Sequence, residues 1–104
     1  MRLNYKALNQ LMKYGKVAIM RDLFGGWVKV GEHINVYDLR GKVRARTLVI
    51  GVYTNTNYFR ERFVNISGYK DVNEWLEQSK RNNKIPSHII ILKLTGGRIK
   101  YEQK

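Results

Sequence analysis

Apolar side chains at Tyr5, Leu8, Leu11 and Met12 recur at helical spacing, between Asn4, which can cap a helix, and Gly15, which can end one. The pattern predicts a helix over residues 4–14. The period then changes. Val17–Arg21 reads as a short strand, followed by a loop through Asp22 and Gly25-Gly26. Trp27–Val30 leads into a turn at Gly31-Glu32, and His33–Tyr37 alternates as a second strand. Asp38–Gly41 has hairpin chemistry, and Lys42–Tyr53 forms a long strand. Asn55–Val64 reads as a short helix or an ordered loop. A clearer helix follows, where Asp71 caps, Glu74 completes a capping box, and Val72, Trp75 and Leu76 form the apolar face. Asn82-Asn83 ends it and Pro86 breaks the chain. Ser87–Leu94 is a strand apolar on both faces at its centre, Thr95–Gly97 turns, and Arg98–Tyr101 predicts an edge strand. The expected fold is one α+β domain spanning residues 1–104, with four or five strands and two or three helices.

Within the long strand the pattern carries charge. Lys42, Arg44 and Arg46 occupy alternate positions, so they share one face while Val43, Ala45 and Thr47 take the other. Such a ladder repels itself unless it is solvated or meets a polyanion. The solvated reading is an edge strand whose positive charge blocks aggregation. Composition favours the polyanion: 20 Lys and Arg against 8 Asp and Glu give a net charge of +12 in 104 residues. An apolar share of 43%, spread along the chain, fills one modest core and excludes a disordered basic tail. With no cysteine there is no disulfide or thiolate metal site, and His33 and His88 stand apart from any carboxylate cluster. No metal or other cofactor is expected. No apolar run approaches the ~20 residues of a membrane span, and Met1–Tyr5 lacks the apolar core of a signal peptide, so the expected location is cytoplasmic, with no membrane partner.

The order of motifs then points to a family. A helix leads to a strand bearing Lys16 and Arg21, then to V-G-E-H-I-N-V-Y (Val30–Tyr37) and the long strand. S-G-Y-K-D-V-N-E-W-L (Ser67–Leu76) and H-I-I-I-L-K-L (His88–Leu94) follow. From about Leu8 to Leu94 this resembles the ASCH domains, a branch of the PUA-like superfamily. Lys16 and Arg21 keep the family's five-residue spacing, Gly31-Glu32 stands where Gly-Asp is usual, and Gly68-Tyr69 resembles the helix entry. The resemblance implies a PUA-like β-barrel of about five strands, mixed in direction, with flanking helices, a cleft holding Lys16 and Arg21, and RNA-related work. Some small members hydrolyse acetylated cytidine with a Thr where this chain has Ile19, and with a Glu where it has Ser67-Gly68. That catalytic set is not carried over.

The expected function is binding of nucleic acid, RNA favoured over DNA, or single strands generally. Lys16, Arg21 and Trp27 would line the cleft. Lys29, Lys42, Arg44, Arg46 and Arg60 would hold phosphates, and Tyr53 and Tyr58 would offer rings to unpaired bases. A paired Arg21, bound to Asp22 or Glu32, is the plainer alternative. Two further functions stay open. One is a hydrolase, a ribonuclease or amidohydrolase, with Lys16 as its essential group and no evident acid–base partner. The other is a winged-helix DNA-binding regulator, disfavoured by Glu74 and Glu77 on the helix that would read bases. The residues do not indicate an oligomeric state.

Overall fold

The computed structural model describes residues 1–23 and 28–95. Helix α1, Tyr5–Tyr14, begins where the Asn4 side chain accepts the Ala7 N–H at 3.0 Å. It ends at Gly15, whose φ of 85° lets its N–H return to the Leu11 carbonyl. Strands β1 (Lys16–Arg21), β2 (His33–Tyr37), β3 (Val43–Thr54) and β4 (His88–Leu94) form one antiparallel sheet in the order β1-β4-β3-β2. Helix α2 (Asn57–Phe63), a 3₁₀ turn at Val64–Ile66 and helix α3 (Val72–Ser79) lie between β3 and β4. The fold is α+β, and among the described residues no helix is long and apolar enough to cross a membrane.

Both faces of the sheet are packed, as the double apolar run in β4 demands. On one face Val17, Ile19, Ile90, Leu92, Ala45 and Val49 meet Leu8 and Leu11 of α1. On the other, Ala18, Met20, Ile89 and Ile91 meet Trp75 of α3, with Phe59, Phe63 and Tyr53 around them. The pairing of β3 with β4 slips between Val49 and Gly51, leaving Ile50 as an extra residue. Ala45 and Val49 face α1, and beyond the slip it is Val52 that does so. Tyr53 is thereby turned onto the second face. Gly51 makes room for it, since a Cβ there would lie 2.6 Å from the Tyr53 ring and 3.2 Å from Ile91.

Several boundaries differ from those expected. Lys42 lies in the turn before β3, where its N–H donates to Asp38 Oδ1 at 3.0 Å. Of the stretch Asn55–Val64, residues 57–63 are helical, capped by Thr56 through the Phe59 N–H. Asn82-Asn83 is a tight turn in its own right, with φ of 53° and 63° and paired hydrogen bonds between Arg81 and Lys84. Helix α3 has already ended at Ser79. Strand β3 is central, flanked by β4 and β2, so the edge-strand reading of its basic ladder does not hold. The expected strand at Arg98–Tyr101 lies outside the described residues. One parallel bridge, Arg2 to Tyr37, sets the N-terminal segment beside β2.

Candidate nucleic-acid interface

Strand β1 is an edge of the sheet, and a recess of about 300 Å³ opens along it over Ala18, Ile19 and Met20. Arg21, the last residue of β1, projects here. Its guanidinium donates to the Met20 carbonyl at 3.2 Å and to the Arg2 carbonyl. The Arg2 backbone is available because Leu3 N–H donates to the Tyr37 carbonyl at 2.9 Å, which anchors this segment. Arg81 reaches the same recess from the Asn82-Asn83 turn. Asn4, Tyr69 and Gln78 line the remaining wall, with Trp75, 1% exposed, behind them.

That wall is held by contacts between α1 and the start of α3. Asn4 donates to the Tyr69 hydroxyl at 2.6 Å, and Lys6 pairs with Glu74 at 2.8 Å. Gly68 makes the close approach possible, with a φ of 90° and no room for a Cβ against the Lys6 carbonyl.

The electrostatics of the recess are one-sided. Burial pushes the Arg21 guanidinium below its usual pKa, and the charge of Arg81 acts in the same direction. The nearby acids are engaged by backbone donors: Asp22 accepts the Ser87 N–H at 2.8 Å, and Glu32 accepts the Lys29 N–H at 3.0 Å. The ion pairs among the described residues, Lys6–Glu74, Arg44–Asp38 and Lys80–Glu77, involve neither Arg21 nor Arg81. Arg21 is therefore not paired with Asp22 or Glu32. A half-buried guanidinium with a second beside it and no carboxylate partner suits an anion, which Arg binds through a planar fork. Among the described residues no group of three or more His, Asp or Glu gathers to hold a metal.

The other expected site residues are dispersed. Lys16 starts β1 and shares the face of Ala18 and Met20, whereas Arg21 shares that of Val17 and Ile19. Five residues along a strand reverse the face and separate the two by about 17 Å, so they do not converge. Lys29 is exposed at the Gly31 turn. Arg44 leans on Asp38 at 3.5 Å, and Arg46 is exposed. Tyr53 is packed against Phe59 and Phe63, each 4.8 Å between ring centres. Tyr58 is 64% exposed, with its ring edge against Phe59. Arg60 turns inward to bond Asn55 Oδ1 at 2.8 Å, and its Nε is buried without a partner. Trp27 lies outside the described residues.

Arg2 and Arg81 were not among the expected residues. Their signals were indirect: a β-edge segment before α1, and a cation immediately before two residues that favour positive φ. Comparison with family models, with curated proteins and with solved structures returns no match to this chain.

Proposed function

We propose that this chain is a nucleic-acid-binding domain of the ASCH, PUA-like kind, acting on RNA or on single strands more generally. The observation that carries the reading is the Arg21–Arg81 recess, two guanidinium groups at one small cavity with no acid paired to either among the described residues. Phosphate is the anion that best satisfies both, and a net charge of +12 favours phosphates joined in a polymer over a free one. A recess of about 300 Å³ admits one phosphate or one unstacked base and excludes a duplex. Selectivity would then rest on Asn4, Tyr69 and Gln78, which line the recess. The PUA-like fold is supported by the Arg21 bond to the Arg2 carbonyl. Because Arg2 is bridged to Tyr37 of β2, this bond links the edge strands β1 and β2 through the N-terminal segment.

Fluorescence anisotropy with labelled single-stranded RNA, single-stranded DNA and duplexes, titrated across salt, tests the proposal. Single strands should bind more tightly than duplexes, with affinity falling steeply as salt rises. Arg81→Ala, which removes an exposed side chain, should weaken binding about tenfold, the equivalent of ~1.4 kcal/mol. Arg21→Lys should do the same while retaining positive charge. Unchanged affinity in both variants, or no binding at low salt, would overturn the assignment.

A further inference from the structure

Among the described residues, the second face of the sheet is covered over only half its length. Around Ala18, Met20, Ile89, Ile91 and Tyr53 the helices close over it. Toward the other end Lys16 of β1 stands opposite Lys93 of β4, Lys93 opposite Leu48 of β3, and Leu48 opposite His33 of β2. Strands lie about 4.8 Å apart, so this row of four spans about 14 Å. Two residues farther along β3, Arg46 stands opposite Asn35. Lys16, Lys93, Arg46, His33 and Asn35 are all exposed, and none of these positions holds an acid.

Two features of this patch are unfavourable for the isolated fold. Like charges directly opposite one another on a sheet are destabilising, and Lys16–Lys93 is such a pair. Positive charge that protects an edge accounts for Lys16 on β1, but Lys93 and Arg46 lie on the two central strands, which have no free edge. Among the cations, half-buried Leu48 supplies an apolar floor, and exposed Ile50 follows two residues along β3. Cations around an apolar floor, with an imidazole beside it, complement a sugar-phosphate backbone whose bases lie against the sheet. The patch and the arginine recess are separate, because Lys16 and Arg21 occupy opposite faces and opposite ends of β1.

We propose that this open half-face, centred on Lys16, Lys93 and Arg46, is a second site for a nucleic-acid strand, so that one molecule holds two strand segments at once. The proposal rests on the nucleic-acid reading of the recess and extends it from one contact to two. Each site takes the same chemistry, a phosphodiester backbone, while the recess adds recognition of a single phosphate or base.

The test uses a uridine hexamer, titrated to excess so that each site takes its own molecule. Binding stoichiometry is measured at low salt by calorimetry, alongside backbone amide shifts of the isotopically labelled protein. Two hexamers should bind per chain, with one set of shifts around Lys16, Arg46 and Lys93 and another around Arg21 and Arg81. Lys16→Glu with Lys93→Glu, both exposed positions, should reduce the stoichiometry to one and abolish the first set only. Arg81→Ala should weaken the second set only. With a longer strand, Lys16→Ala, Lys93→Ala and Arg46→Ala combined should lower the slope of log affinity against log salt by about 2, at ~0.7 per phosphate contact. A single hexamer per chain that Arg81→Ala weakens and the charge reversals leave intact would overturn the second site and keep the recess. A single hexamer removed by the charge reversals and indifferent to Arg81→Ala would overturn the two-site proposal and the recess together.

Discussion

Replacing Gly68 with alanine isolates the contact that closes the wall of the recess. Gly68 has a φ of 90°, a conformation that places a side chain under strain of about 1–2 kcal/mol. The new Cβ would also fall on the Lys6 carbonyl, which is backbone of α1, and 3.3 Å from Gln10 Cβ. Neither neighbour can swing aside without moving α1, so overpacking should add about 1–3 kcal/mol. The expected loss is therefore about 2–5 kcal/mol in total, a large part of the stability of a small domain. Gly15→Ala is the matched control. Its φ is 85° and nothing lies within 4 Å of the added Cβ, so it should show the strain alone, about 1–2 kcal/mol. Urea denaturation followed by tryptophan fluorescence and circular dichroism gives both values, provided the two probes coincide. Because Gly68 precedes Tyr69, the variant should also disturb the Asn4–Tyr69 hydrogen bond and weaken nucleic-acid binding. Equal destabilisation by Gly68→Ala and Gly15→Ala would show that the approach of α1 to this loop is not tight, and the reasoning would fail.

Gly51→Ala should destabilise the fold by about 1–3 kcal/mol through the Tyr53 ring, and Tyr53→Ala should relieve part of that effect, so that a double-mutant cycle departs from additivity. Additive losses would contradict the bulge geometry. Acidification should destabilise the protein in a definite direction. The Lys6 hydrogen bond holds the Glu74 carboxyl below its usual 4.5, and the Lys42 N–H holds that of Asp38 below 3.8. Groups with depressed folded pKa values stabilise above their unfolded pKa and lose that contribution as pH falls through the folded one. Stability should thus be level above pH 4.5 with respect to these two groups and decline below it, and Glu74→Gln should flatten that decline. Urea midpoints between pH 7 and pH 2.5 would measure it, and an unchanged acid limb in Glu74→Gln would contradict the assignment.

Much of the fold was legible because local signals agreed with long-range ones. Asn4 and Gly15 bound α1, Asp71 and Glu74 start α3, and the apolar run in β4 is buried on both faces. The site was less legible. The five-residue spacing of Lys16 and Arg21 resembled a converging pair, yet strand periodicity alone sends an odd spacing to opposite faces. Tyr53 was expected to be available to a base, and only the extra residue at Ile50 turns it into the second core. Arg60 reads as a free cation in sequence, but Asn55, just ahead of α2, captures the guanidinium. Arg81 depends on two consecutive positive-φ asparagines, whose consequence is a matter of tertiary placement. The basic ladder kept its alternation, with Arg44 and Arg46 on one face. Its meaning changed once β3 proved central and Lys16 and Lys93 joined the same surface.

The most direct test of the central claim is the side-chain Nε–H resonance of Arg21, followed by NMR while single-stranded RNA is added at low salt. The account predicts that this signal shifts in step with the bound fraction, that the Arg81 signal moves with it, and that both return when salt is raised. A titration in which RNA binds while the Arg21 and Arg81 signals stay fixed would contradict it.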